Sequence, residues 1–352
     1  MPDAAPSSSP AVALTDTRGL TDTRGRSVSY LRLSVTDRCN LRCLYCDSRM
    51  RQWLKHDEVL RYEEFLELMG LGLRLGIGKV RLTGGEPFAR KGFMEFIEAA
   101  RTRFPELDLR LTSNATLIAP FAPRLAIAGV ARINISLDTL NPATFARVTG
   151  ADLYHEVRRG IDACLAAGIR VKLNAVAMRG VNDGELAGFL DLARSLPIDV
   201  RFIEYMPMGG SDWKPEQVWR ATDILSEAKT LAELTPIERG SGGSASSDGG
   251  PAQMFGIKGG AGRFGLITPL SNHFCGSCNR LRITSGGVLR TCLFSDRVYR
   301  LRGALRHPKL GLPAVERILR LASQIKPLGF ELLAARRAGE GVCGTAMSAI
   351  GG

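Results

Sequence analysis

The chain has 352 residues, 45% of them hydrophobic, enough to bury one large core or two smaller ones. No uncharged apolar run reaches the roughly 18 residues a membrane span needs, and the first 28 residues carry Asp16 and Asp22 without an apolar core segment, so the expectation is a cytoplasmic protein with no leader and no membrane partner. The formal charge of +12 suits a polyanion or a solvated basic surface; residues 290–340 hold eleven Lys/Arg against four Asp/Glu, but with only Phe294, Tyr299 and Phe330 between them a nucleic-acid platform is a poor reading.

Residues 1–28 are Ala/Ser/Pro-rich and then repeat Leu-Thr-Asp-Thr-Arg-Gly in tandem, at 14–19 and 20–25, which predicts a disordered arm. Strand patterns follow at Tyr30–Val35, Lys79–Thr83, Asp108–Thr112, Arg132–Leu137, Arg170–Ala177 and Val200–Met206, with helical patterns between them such as Arg61–Leu75 and Gly92–Arg103. Six β-α repeats over 29–239 predict an α/β fold, an open partial (β/α)6 TIM-like barrel with its helices outside. The Gly/Ser-rich stretch 240–250 reads as a flexible linker, leaving 251–352 as a second region. Sites in such sheets form at the carboxyl ends of the strands. That is where Cys39, Gly84-Gly85-Glu86-Pro87, Thr112 to Asn114, Ser136 with Asp138, and Glu204 with Met206 fall, while Asn174 lies within the fifth strand.

Six of the eight cysteines form two groups of three: Cys39, Cys43 and Cys46 as C-x3-C-x2-C, and Cys275, Cys278 and Cys292 as C-x2-C-x13-C. Soft thiolates select iron–sulfur clusters or zinc. Three thiolates hold three corners of a four-iron cube and leave the fourth iron open to a small molecule, whereas a closed zinc site wants a fourth ligand. His56 is a poor candidate for that ligand at the first group; His273 would complete a Cys3His site at the second, so zinc stays open there. Disulfides are not expected from this spacing, and Cys164, on an apolar helical face, reads as core packing. Arg280 and Arg282 lie two apart, so a strand projects them to one face. They form either a fork for phosphate oxygens or a solvated surface pair.

The run Arg32-Leu-Ser-Val-Thr-Asp37-Arg38-Cys39-Asn40-Leu-Arg42-Cys43-Leu-Tyr45-Cys46 resembles the signature of radical S-adenosylmethionine (SAM) enzymes, and among them the GTP 3′,8-cyclase family of molybdenum cofactor biosynthesis. Arg81-Leu-Thr-Gly84-Gly85-Glu86-Pro87, Asn134-Ile-Ser136-Leu-Asp138, Val171-Lys172-Leu-Asn174, Arg201-Phe-Ile-Glu204-Tyr-Met206-Pro207, Asn272-His273-Phe-Cys275-Gly-Ser-Cys278-Asn279-Arg280-Leu-Arg282 and the terminal Ile350-Gly351-Gly352 extend the match over roughly residues 28–352. The resemblance implies two [4Fe-4S] clusters, the second held in the C-terminal region. It places SAM against the Tyr45 backbone, Gly85, Ser136 and Met206, and GTP against Arg32, Arg81, Thr112, Lys172, Arg280, Leu281 and Arg282. The implied chemistry is reductive cleavage of SAM, removal of the ribose 3′ hydrogen of GTP and closure onto guanine C8, with no protein nucleophile and no nucleic-acid partner. The implied partners are a low-potential electron donor, a cyclic pyranopterin monophosphate synthase that receives the product, and a second copy in a homodimer.

The chain departs from the family at three places: Ala115 stands where glycine is usual, Thr345 replaces an arginine two residues before Met347, and the segment after Pro327 matches poorly. Two other classes stay open from residues alone. One is a radical SAM enzyme on a different substrate, such as a peptide maturase, which would not need the Arg280/Arg282 fork. The other is a zinc protein that binds nucleic acid through its basic C-terminal region.

Overall fold

Two-residue alternation in the strands decides this architecture. The computed structural model describes residues 19–46, 53–209, 211, 213–238, 250–335 and 343–351. Six parallel strands come first: β1 Tyr30–Ser34, β2 Lys79–Thr83, β3 Asp108–Ser113, β4 Arg132–Ser136, β5 Arg170–Ala177 and β6 Asp199–Glu204. Their outward residues, among them Leu31, Leu33, Val80, Leu82, Ile133, Ile135, Val171 and Leu173, are buried in the core. The residues between them are polar or cationic and face inward, an alternation rare in parallel strands, which usually read as continuous apolar runs.

Helices cover the outer face. They are α1 Tyr62–Arg74, α2 Phe93–Arg103, α3 Ala122–Ile127, α4 Pro142–Thr149, α5 Tyr154–Ala166, α6 Leu186–Ser195 and α7 Ala221–Leu231. Phe65, Leu68, Met69 and Gly72 form the buried stripe of α1 at helical spacing. Glu64 caps its start by accepting from the Arg61 N–H at 2.6 Å. Helix α4 has Asn141 accepting from the Thr144 N–H at 3.0 Å, Pro142 in its first turn and Gly150 at φ 69° after its last residue.

The remaining strands are β7 Leu234–Ile237, β8 Gln253–Ile257, β9 Arg263–Ile267, β10 Arg280–Ile283, β11 Val288–Arg290 and β12 Tyr299–Arg300. All twelve join one sheet in the order β12-β11-β10-β1-β2-β3-β4-β5-β6-β9-β8-β7. Strand β9 lies parallel to β6 and β10 parallel to β1, so the C-terminal region extends the barrel wall on both sides. The two regions read on either side of 240–250 therefore share a single sheet; residues 240–249 lie outside the described ones. Strand β10, beyond the composition break, pairs directly with β1. Three short helices and one of 14 residues complete this part: α8 Arg302–Leu305, the longer α9 Gly311–Gln324, α10 Gly329–Ala334 and α11 Met347–Ile350.

The expected disordered arm is corrected for its second half. Leu20 and Val28 are buried, the Leu20 N–H donates to the Leu75 carbonyl at 3.2 Å, and Asp22 pairs with Arg26 inside the protein. Two apolar residues and a buried ion pair anchor what low-complexity composition hides; residues 1–18, with most of the first repeat, lie outside the described ones.

Ala115 has φ 62°, and among the described residues it is the one non-glycine in the left-handed region. Helix α5 crosses it closely: a Cβ on Gly160 would sit 2.3 Å from the Ala115 carbonyl oxygen and 2.8 Å from Ile118 Cγ2. Gly160→Ala should therefore cost about 1–3 kcal/mol by overpacking, outweighing the roughly 1 kcal/mol gained in helix propensity. Urea unfolding checks this, and a variant as stable as the parent would contradict the packing.

Candidate active site

The inward residues of the strands line a cavity of about 300 Å³. Strand register sets its chemistry. Arg282, Arg32, Arg81 and Arg110 pair in sequence across β10, β1, β2 and β3, forming one lateral row of guanidinium groups. The next row inward places Thr112, Asn134 and Lys172 side by side, and a further pairing sets Ser136 beside Asn174. In all, nine Lys or Arg side chains line the cavity against the carboxylates of Asp138 and Glu204. Asp108 neutralises Arg110 at 2.6 Å and Asp199 lies 3.6 Å from Lys172, while Arg81 and Arg282 make no ion pair among the described residues. Arg280 Nε and Arg282 Nη1 are buried without a hydrogen-bond partner, as is Asn174 Oδ1.

The crowding is visible in the protonation of its members. Burial raises the pKa of Tyr30, but Arg81, Arg32 and Arg280 more than offset this and bring it down to about 7. The Arg81 Nε–H donates to the Tyr30 hydroxyl at 2.6 Å. Burial, with Arg280 close by, lowers Arg282 to about 10; burial and the neighbouring Arg282 lower Arg32 well below its usual value.

Cys275, Cys278 and Cys292 open onto the same cavity, and so does Lys326. Burial raises the Cys292 thiol; at Cys278 burial also opposes ionisation, but Lys326 and Arg280 outweigh it and lower the pKa. His273 does not complete this set: its ring is exposed, stacks on Phe330 with centroids 5.5 Å apart, and its Nδ1 is held 2.8 Å from the Pro269 carbonyl. Among the described residues no three His, Cys, Asp or Glu side chains converge as a single metal ion requires. The donor set fits a larger thiolate-held cluster better than a closed Cys3His ion. Gly329 bounds the space, since a Cβ there would lie 3.2 Å from Cys292 Sγ and 3.4 Å from Cys275 Sγ.

Cys39, Cys43 and Cys46 sit on the loop after β1, outside this cavity's lining. Burial raises both Cys39 and Cys43. The Gly-Gly-Glu-Pro segment packs against that loop: Gly85 N–H donates to Thr36 O at 2.9 Å and Glu86 N–H to Arg38 O at 2.8 Å. A Cβ on Gly84 would lie 2.6 Å from Thr36 O, and one on Gly85 2.2 Å from Arg38 O and 2.9 Å from Cys39 Cβ. Both glycines are thus required by the approach of two backbones. The buried Glu86 carboxylate accepts from Ser113 Oγ and the Asn114 and Phe88 N–H groups, and burial raises its pKa to about 7. On the first cysteine loop Tyr45 donates to Asp138 at 2.8 Å, and Tyr45, Ser136 and Met206 line the cavity. His56 is exposed, Cys164 is core with its pKa raised to about 12 by burial, and all eight cysteines are free thiols.

Of the residues singled out for a ligand, Arg32, Arg81, Thr112, Lys172, Arg280, Arg282, Tyr45, Ser136 and Met206 line one cavity. Gly85 does not, and Leu281 is corrected: its side chain is fully buried in the core on the opposite face, as alternation demands between two inward arginines. The sequence reading missed Tyr30, Lys79, Arg110, Arg201 and Lys326; for the first four the signal was the same period-2 alternation, for Lys326 none. At the tail, Thr345 accepts from Arg290 at 3.0 Å and donates to Asp296 at 3.3 Å, so the departure from arginine is absorbed by partners of its own. Gly351, φ 80°, is buried against Ser34, whose Cβ would lie 2.5 Å from an added Cβ.

Comparison with known proteins places most of the chain. The profile of the Radical SAM superfamily matches residues 33–193 and that of Molybdenum Cofactor Synthesis C matches 198–332. A GTP 3′,8-cyclase of Caulobacter vibrioides is 42% identical over 91% of both chains. One from Thermodesulfovibrio yellowstonii is 39% identical over 81% of this chain and 88% of its own, and one from Geobacter sulfurreducens is 44% identical over 80% and 86%. In fold, the chain resembles Streptococcus suis SuiB bound to the precursor peptide SuiA, at TM-score 0.57 and 13% identity over 92% of this chain and 70% of that one.

Gly85→Ala should drive the Cys39 loop off the second strand end and empty that site of iron while the Cys275 site keeps its own. Iron and acid-labile sulfide analysis after anaerobic reconstitution reads this out. Full iron at both sites in the variant would show that the loop has room to yield.

Proposed function

The chain belongs to the GTP 3′,8-cyclase family of radical SAM enzymes, and on that premise we propose how its residues divide the work. It is a GTP 3′,8-cyclase of molybdenum cofactor biosynthesis, converting GTP to 3′,8-cyclo-7,8-dihydro-GTP with two [4Fe-4S] clusters and SAM. Cys39, Cys43 and Cys46 hold the first cluster, and Cys275, Cys278 and Cys292 the second. When bound, the first cluster and SAM supply the one-electron chemistry. The Tyr45 backbone, Ser136 and Met206 seat SAM between the two sites, with Gly85 pressed against the Cys39 loop that carries the cluster.

The observation that carries the substrate assignment is the arginine row beside the second cysteine site. Arg280, Arg282, Arg32 and Arg81 hold the triphosphate, whose oxygens satisfy the buried donors on Arg280 and Arg282. Thr112, Lys172 and Asn174 fix the nucleoside between the sites, and the barrel wall excludes water from the reacting carbon. Leu281 contributes no side chain. A peptide substrate gives this concentration of cations no partner, and nucleic acid is served poorly by charge that lines a cavity. Residues 251–352 act as the cluster- and nucleotide-binding part of one sheet. A cytoplasmic location, a low-potential electron donor, hand-off to a cyclic pyranopterin monophosphate synthase and a homodimer rest on family membership alone.

Anaerobic incubation with SAM, dithionite and GTP should yield 5′-deoxyadenosine and the cyclised nucleotide; 5′-deoxyadenosine without any change in GTP would defeat the substrate assignment. Arg280→Ala and Arg282→Ala should each weaken GTP roughly 10- to 150-fold, from about 1.5–3 kcal/mol per charge-assisted hydrogen bond, and weaken guanosine far less. Calorimetric titration of both ligands checks this, and equal small losses would retire the phosphate fork.

A further inference from the structure

The second cysteine site is built from two stretches of chain, one carrying Cys275 and Cys278 and the other Cys292, and two buried cations outside all of the cysteine motifs tie them together. Arg26, 7% exposed, donates from Nη1 to the Cys275 carbonyl at 2.8 Å and from Nη2 to the Lys326 carbonyl. Lys326, 4% exposed, donates from Nζ to the Arg280 carbonyl at 2.9 Å and to the Thr291 carbonyl. Arg280 is two residues beyond Cys278 and Thr291 is the residue before Cys292. Each cysteine segment is thus held by a main-chain carbonyl close to or at its ligand. Asp22 orients the arginine: its carboxylate accepts from Arg26 Nε and from the backbone N–H groups of Arg26 and Arg24, at 2.5, 2.8 and 2.9 Å. Burial opposes ionisation of Asp22, yet these bonds keep its pKa below the usual carboxylate value.

A buried ion pair is a poor device for stability alone, because well-packed apolar groups serve as well. What it supplies is direction: the guanidinium carries five donors in a rigid fork and the ammonium three. Here those donors come from residues far in sequence from the cysteines and go to carbonyls at or near them. The N-terminal segment, which precedes every motif, is joined to the same junction by the Thr23 N–H bonding the Gln324 carbonyl at 3.1 Å and by Arg24 pairing with Glu331 at 3.4 Å. Lys326 also lies against Cys278, so its charge sits beside the thiolates.

We infer that Asp22, Arg26 and Lys326 form a positioning clamp that sets the spacing of Cys275, Cys278 and Cys292 for the second cluster. The inference rests on the two-cluster reading. Arg26 reaches only the Asp22 carboxylate and main-chain carbonyls, and Lys326, although it also lines the cavity, bonds the carbonyls beside Cys278 and Cys292, so the clamp acts through the cysteines. Lys326 also adds positive charge, which favours the reduced state of a cluster. Removing that charge lowers the cluster's midpoint potential, a change that a purely mechanical brace would not produce.

The test uses the full chain, reconstituted anaerobically with iron and sulfide. The parent is expected to hold about eight irons, four per cube. Arg26→Gln should fall to about four, with the first cluster's spectrum and SAM cleavage in the absence of GTP retained. Arg26→Lys should recover less than Lys326→Arg, since a fork is replaced by a point charge. Asp22→Asn, a milder change, is expected to fold, to keep the first cluster and to alter the paramagnetic resonance signature of the second. Lys326→Arg should restore iron content and potential, and Lys326→Gln should lower the second cluster's midpoint potential in whatever fraction retains it. Full iron with unchanged signature and potential in Arg26→Gln, Asp22→Asn and Lys326→Gln would overturn the clamp, and so would equal loss from both sites. A parent holding only about four irons would sink the two-cluster reading, and the clamp with it.

Discussion

Four arginines in adjacent register across β10, β1, β2 and β3 are the constraint on which the rest of this structure depends. Neighbouring strands lie about 4.8 Å apart, so the row sets like charges beside one another, an arrangement that works against folding. Asp108 relieves Arg110 at one end. For the others, the cavity offers few carboxylates: the arginines bring Tyr30 down against the effect of burial, and burial followed by the neighbouring arginines lowers Arg32 and Arg282. Such a row persists because the outer face of the same strands is packed against helices by residues like Leu31, Val80 and Leu111. The apolar half of each strand pays for the charged half. A ligand bearing several negative charges then meets a site that is already assembled.

The two cysteine loops answer different demands around that row. At the first, the backbones of Thr36–Cys39 and Gly84–Glu86 approach so closely that no side chain fits between them, and Cys39 and Cys43 are set in surroundings where burial favours the neutral thiol. At the second, Lys326 and Arg280 lie beside Cys278 and favour its thiolate. The second loop therefore shares the positive field that serves the triphosphate, while the first is insulated from it. The separation suits an enzyme in which one cluster works with SAM and the other faces the nucleotide.

Much of this was legible in the sequence. The first six strands were placed to within a residue or two, because their outward residues alternate cleanly, and both cysteine triplets could be recognised from spacing. The inward residues Tyr30, Lys79 and Arg110 followed from the same alternation but needed the register to show that Arg110 continues the row of Arg32 and Arg81, while Tyr30 and Lys79 pair beside it. The Leu281 side chain enters the core for the converse reason: adjacency to Arg280 and Arg282 in sequence puts it on the opposite face. Lys326 and Arg26 carry no pattern, since their partners are main-chain carbonyls of distant segments. Residues 19–28 looked disordered because composition cannot show Leu20 and Val28 entering the core or Asp22 closing on Arg26.

The most direct test of the central claim is the thermal stability of Arg282→Met with and without GTP. The account predicts that removing one charge leaves the ligand-free protein at least as stable as the parent, because a buried like-charge neighbour is gone. It also predicts that GTP, which should raise the parent's melting temperature by mass action, then raises the variant's far less. A variant that melts well below the parent and still gains the full increment from GTP would show that Arg282 is a structural prop and that the row was not built for the triphosphate.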